Sequence, residues 1–118
     1  MPLTPESAIT ELHRAIPSFD CEWEEDHLSY PLFNDFARYI CSEAEVLKYV
    51  ESVDEAHRMS QVPACMELFE RLLSEGNSDV RDLVTEAIET LSTCPHEREV
   101  KKWAGPEVSR IWNSQPWR

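Results

Sequence analysis

The sequence predicts an all-α fold: one helical domain over residues 1–118, made of six or seven short helices packed as helical hairpins. Three observations lead there. Apolar residues recur with a helical period in at least four segments. The chain holds only 2 glycines, whereas sandwiches and barrels use glycine in their many turns. No segment reads as a firm strand: Phe19, Cys21 and Trp23 alternate with Asp20, Glu22 and Glu24, but the run is too short to build a sheet on. At roughly 100–200 residues per domain the length fits one domain. The hydrophobic share of 42% supplies a core that needs neither a metal nor a disulfide staple.

Thr4 and Pro5 open a first helix over about 5–16, with Ile9, Leu12 and Ile16 as its apolar stripe and Pro17 as its stop. Residues 18–30 read as an irregular acidic segment. Pro31 opens the next helical stretch, in which Phe33, Phe36, Ala37, Ile40, Ala44 and Leu47 follow one face. Ser42 with Glu45 three residues on forms a capping box, which favours a restart and helices of about 31–41 and 43–58. Val62 and Pro63 interrupt the pattern. Met66, Phe69, Leu72 and Leu73 mark a helix of about 63–75, with Gly76 expected as a left-handed stop and Asn77 or Ser78 as the next cap. The helix of about 79–92 is the clearest: Val80, Leu83, Val84, Ala87, Ile88 and Leu91 share one side, and Asp79, Asp82, Glu86 and Glu89 the other. So short a link folds these two helices back on each other, and this hairpin is expected to be the centre of the fold. A short helix near 97–103 and a last one of about 106–113, carrying Val108, Ile111 and Trp112, complete the chain. Trp103 and Trp112 are expected as core caps, while Trp117 either frays or docks.

Charge is the unusual feature. The chain has 23 acidic and 11 basic residues, a net charge of −12. Such a surface repels phosphates, which excludes a nucleic-acid reader or a binder of anionic membranes, and attracts a basic partner. Residues 1–60 carry 13 acids and 4 bases; residues 61–118 carry 10 and 7. No apolar run is long enough to span a membrane and no signal-peptide pattern opens the chain, so a cytoplasmic protein is expected. Its cysteines, Cys21, Cys41, Cys65 and Cys94, are scattered without Cys-x-x-Cys pairs and are expected as free thiols.

No nucleophile elbow, zinc-protease, phosphate-loop or EF-hand signature is present, and no cofactor is implied. Cys94 and His96 are the closest approach to a metal pair, and two ligands do not make a site. If the chain were an enzyme, His27 after Glu24, Glu25 and Asp26 would be its acid–base candidate, and the same carboxylates could hold a divalent cation. The stronger candidates are partner-binding residues. Asp20, Glu22, Glu24, Glu25 and Asp26 surround Trp23, the makeup of a binding hot spot in which the ring supplies buried area and the acids steer and pair with Lys or Arg. The same segment also reads as a solvated loop, or as one whose Trp23 is anchored inward. The stripe Asp79, Asp82, Glu86 and Glu89 is either an ordinary outer face or a docking face. Its single sign favours the latter, because like charges at this spacing cost a few tenths of a kcal/mol.

The segment of about 66–112 resembles small acidic helical proteins of bacteria, among them immunity proteins of polymorphic and contact-dependent toxin systems. The residues that carry the resemblance are Phe69, Glu70, Leu72 and Leu73, the Gly76–Asn77 turn, the Val80 to Leu91 helix with Glu89 near its end, and Gly105, Pro106 and Glu107 leading to Trp112. The resemblance implies no catalytic residue. It implies a protein that neutralises a toxin by occluding its active-site cleft; because nuclease toxins are usually basic, a toxin nuclease domain is the expected partner. The alternatives are an acidic scaffold or adaptor for another basic protein, a small enzyme using carboxylates and a histidine, and a plain domain that oligomerises.

Overall fold

Glycine scarcity and helical periodicity lead to an all-helical architecture. The computed structural model describes residues 2–19 and 29–114, and among these there are seven α-helices and no strand. They are α1 (Pro5–Ala15), α2 (Ser29–Ala44), α3 (Val53–Met59), α4 (Val62–Glu75), α5 (Ser78–Ser92), α6 (Glu97–Lys101) and α7 (Pro106–Ser114), with a 3₁₀ turn at Glu45–Tyr49. All contribute to one apolar core.

In α1, the Thr4 hydroxyl accepts from the Ser7 amide and Pro5 occupies the first turn. The residues before it pair with the turn after α4: Leu3 donates to the Glu75 carbonyl at 2.8 Å and accepts from the Asn77 amide at 2.9 Å. Leu12 and Ile16 are buried, and Ile9 is half-buried against the core.

The helix break expected at Ser42 does not occur. α2 runs on to Ala44, and the Ser42 hydroxyl donates to the Tyr39 carbonyl at 2.8 Å inside the helix. Its apolar stripe continues unbroken through Ile40 and Ala44, so burial outweighs the capping signature. The true restart is later. Ser52 caps α3 by accepting from the Glu55 amide at 3.0 Å, while the Glu55 carboxylate accepts from the Glu51 amide at 3.1 Å. The start of α4 is pinned to the end of α2: the Gln61 amide donates to the Glu43 carboxylate at 2.9 Å, and the Ser60 hydroxyl to the Glu43 carbonyl at 2.9 Å.

Gly76 ends α4 as expected but not in the left-handed region: its φ of −84° and ψ of 157° are extended. Glycine is needed there for space. A Cβ would lie 2.4 Å from Val80 Cγ1 and 2.5 Å from the Leu72 carbonyl oxygen. Asn77 then caps α5 by accepting from the Val80 amide at 3.0 Å. Phe69, Leu72, Val84 and Ile88 are all fully buried, as the hairpin predicts. Yet the most extensive packing of α5 is against α2 rather than α4. Thr90 donates to the Asn34 side chain at 3.0 Å across that interface.

A disulfide between Cys41 and Cys94, with Cα atoms 6.1 Å apart, fastens the end of α2 to the turn after α5. This corrects the expectation of free thiols for these two residues: the α2–α5 packing brings together cysteines 53 residues apart in sequence. Cys65 is free and buried in α4, and Cys21 lies outside the described residues. Trp112 is fully buried in α7, and Trp103 packs half-buried against the core. Trp117 is outside the described residues.

Candidate functional site

Two surfaces stand out. The first is the outer face of α5. Asp79, Asp82, Glu86 and Glu89 are spaced i, i+3, i+7 and i+10, which places them within about 80° of arc and along about 15 Å of helix. Asp79, Asp82 and Glu89 are exposed and Glu86 is half-buried. None of the four takes part in an ion pair among the described residues. The one base on this helix, Arg81, is turned away: its guanidinium donates to the Leu73 carbonyl and lies 4.0 Å from Glu107 on α7. The helix dipole accounts for Asp79 in the first turn, since negative charge is favoured there. It does not account for Glu89, which sits at the end that prefers cations. Helix stability therefore explains only part of this stripe.

The second surface was missed in the sequence. The large hydrophobic side chains exposed among the described residues are Tyr49, Val53 and Met59, at 75%, 63% and 55%, all within one short stretch. Of these, Val53 lines an open recess of about 420 Å³ between the 3₁₀ turn, α3 and the α6–α7 connection. Leu47, Val50, Val53, Ala56 and Trp103 give it an apolar lining. At its rim Glu99 and Lys102 pair at 3.3 Å, while the Glu51 carboxylate has no partner among the described residues. The Trp103 ring meets His57 edge-on, with centroids 5.2 Å apart. The His57 Nδ1 donates to the Val53 carbonyl at 2.9 Å, which holds the ring in place against Trp103. Beyond this pair lies a second recess of about 290 Å³, lined by Met66, Glu67, Glu70 and Gly105 among others. The signal that could have revealed this surface is local. Tyr49, Val53 and Met59 continue no buried stripe of the neighbouring helices, so the sequence offers them no place in the core.

Glu70 is already employed. Its carboxylate accepts from the Glu107 amide at 2.8 Å and the Val108 amide at 3.1 Å, the first free amides of α7. Gly105, at the cap position, has no side chain to do so.

The Asp20, Glu22, Trp23, Glu24, Glu25, Asp26 cluster and His27 lie outside the described residues. Among the described residues no group of three or more His, Cys, Asp or Glu is arranged to hold a metal. The Cys94–His96 pair is no ligand pair: Cys94 is bonded to Cys41, and its sulfur accepts from the His96 amide at 3.3 Å. Burial pushes the Cys65 thiol far up, reinforced by the Glu43 charge, so it is a protonated core group rather than a nucleophile. Burial likewise raises Tyr39 despite its hydrogen bond with Ser18, 2.5 Å away. The hydrogen bond from Arg110 holds the Glu107 carboxyl below its ordinary range. These shifts arise in packing and pairing, away from either recess. No described helix is long and apolar enough to cross a membrane.

A family model described as a domain of unknown function, DUF7674, matches residues 9–118. No curated protein matches the chain, and no solved structure matches it.

Proposed function

We propose that this chain, which belongs to the DUF7674 family, is a non-catalytic binding protein that docks a basic protein partner on its acidic surface. The observation that carries the reading is the α5 face, where four carboxylates of one sign stand without ion pairs among the described residues and the helix's own arginine points elsewhere. The net charge of −12 adds a long-range field that accelerates encounter with a cationic partner. The 20–26 segment, with five acids around Trp23, adds to the negative charge that such a partner would meet.

The finer form of the proposal is an immunity-type protein. Its partner is a basic toxin nuclease domain, and its carboxylates stand where phosphates would lie, so that the cationic cleft is occluded. The resemblance of the 66–112 segment supports this form. A cytoplasmic setting is part of this form of the proposal, and the Cys41–Cys94 bridge counts against it, because cytoplasmic thiols are kept reduced.

The experiment pairs gene context with kinetics. A basic nuclease domain encoded beside this gene is expressed and titrated with the chain. It is then titrated with a variant carrying Asp79→Asn, Asp82→Asn, Glu86→Gln and Glu89→Gln. The expected result is fast binding by the parent, on the order of 10⁸ M⁻¹s⁻¹ in association at low salt, and a slower, less salt-dependent association for the variant. Equal rates and equal salt slopes would remove α5 from the interface. Binding only to basic proteins unrelated to nucleases keeps the docking reading and discards the immunity form. Failure to bind any basic protein discards both.

A further inference from the structure

The apolar recess beside Trp103 is a second surface with its own chemistry. We propose that it anchors an apolar side chain of a protein segment, a large aliphatic or aromatic residue flanked by Lys or Arg. The inference rests on the reading of the chain as a binder of a basic protein, but places the anchor away from the α5 stripe.

The volume of about 420 Å³ and the lining of Leu47, Val50, Val53, Ala56 and Trp103 suit one large apolar side chain. Val53, 63% exposed, is the one of the large exposed hydrophobics among the described residues that stands on this wall, next to the apolar lining rather than alone on the surface. A half-buried tryptophan on the wall of a concave site also has the composition of an interface hot spot.

Charge selects the occupant. The carboxylates lining the two recesses that meet at Trp103 are Glu51, Glu99, Glu67 and Glu70. Lys102 offsets Glu99. Glu70 is committed to the α7 amides. Glu51, lining the first recess, and Glu67, lining the second, remain without ion pairs among the described residues. Lys48 and Arg58 are on the same stretch as the exposed hydrophobics but line neither recess. An occupant with cations on both sides of its apolar residue therefore satisfies the rim, whereas an acidic one leaves Glu51 and Glu67 repelled.

The test uses two labelled twelve-residue peptides, one with a central Trp between Lys pairs and one with Ala in its place. Both are titrated into the full chain, with binding mapped by amide chemical shifts. The Trp peptide is expected to bind at least tenfold more tightly than the Ala peptide, with shifts concentrated at residues 47–56 and 99–104. Val53→Asp changes an exposed first-turn residue of α3, where Asp is well tolerated, so the fold should persist. It should weaken the Trp peptide about tenfold through the lost apolar contact, while its added carboxylate leaves the Ala peptide bound at least as tightly as before. Glu51→Lys should weaken both and flatten their salt dependence. Equal binding of the two peptides, or no binding, overturns the anchor. Shifts confined to α5 also overturn it while leaving the basic-partner reading intact, since that reading is tested separately by the α5 amide variant.

Discussion

Glu70 and Gly105 offer a sharp test of how the C-terminal third of the fold is held. The last helix, α7, begins at Pro106, and Gly105 at its cap position has no side chain to accept an amide. Glu70, reaching across from α4, accepts from both Glu107 and Val108, at 2.8 and 3.1 Å. Losing a cap costs about 1–2 kcal/mol. Losing a negative charge at a helix N-terminus adds about 0.3–1 kcal/mol. Glu70→Ala should therefore cost about 2 kcal/mol, and Glu70→Gln, which keeps one acceptor but no charge, about half of that. Gly105→Ala attacks the same contact from the other side. Its Cβ would lie 2.6 Å from Glu70 Oε2 and 2.7 Å from Cδ, so the carboxylate must leave its amides. The expected cost is about 1–2 kcal/mol in the parent and close to zero once Glu70 is Ala. Urea unfolding of the four proteins in the cycle, with m-values compared, gives a coupling of about 1 kcal/mol or more. Additivity within about 0.5 kcal/mol would show that Glu70 does not cap α7 and that Gly105 is glycine for some other reason.

Three further outcomes follow from the packing. Leu72→Ala, at a fully buried site on α4, should cost about 2–5 kcal/mol in urea unfolding; less than half a kcal/mol would mean that the apolar face of the hairpin is misplaced. Replacing Cys41 and Cys94 by Ser removes a bridge spanning 53 residues, and the chain-entropy relation puts its loss at about 4 kcal/mol; the variant should still fold, with a lower urea midpoint, and an unchanged midpoint would remove the bridge from the native protein. Cys65 holds its proton well above the ordinary thiol range when folded, through burial first and Glu43 second, whereas the unfolded chain releases it within that range. The stabilisation from this group is thus complete below the ordinary range and is lost as pH rises through it towards the folded value, so the stability advantage over Cys65→Ala should shrink between about pH 8 and pH 10; a flat difference would place the thiol in water.

The helices were legible because burial and period coincide. In α5 every apolar position called from the 100° spacing is buried: Val80, Leu83, Val84, Ala87, Ile88 and Leu91. Local capping signals were less decisive. Ser42 and Glu45 have the spacing of a cap, but a serine inside a growing helix can satisfy its hydroxyl on a preceding carbonyl, and the buried stripe through Ala44 carries α2 onward. Gly76 was recognised as a stop for the wrong reason, since a close approach to Val80 and a left-handed φ both leave glycine in a sequence. The bridge was invisible for a different cause. Its two cysteines are joined only because α2 packs along α5, a tertiary fact that no spacing encodes.

The two candidate surfaces differ in legibility for the same reason, and they differ in what they can contribute. The α5 stripe is periodic, so it is readable; the recess draws Leu47, Val53 and Trp103 from elements separated by about half the chain, so it is not. The stripe's four carboxylates, three exposed and one half-buried, paired with a partner's bases supply about 0.2–1 kcal/mol each, at most about 4 kcal/mol together. Alone that corresponds to roughly millimolar affinity, enough to steer an encounter but not to hold it. An apolar residue seated against Trp103 can add about 2–4 kcal/mol, because a central, desolvated anchor carries more energy than the rim around it. Steering by α5 and anchoring beside Trp103 together approach micromolar binding. The two contributions have separate kinetic signatures: amides on α5 should act on association, and Val53→Asp on dissociation. A complex whose dissociation is unmoved by Val53→Asp would have its anchor elsewhere on the molecule, with the acids left as a steering field alone.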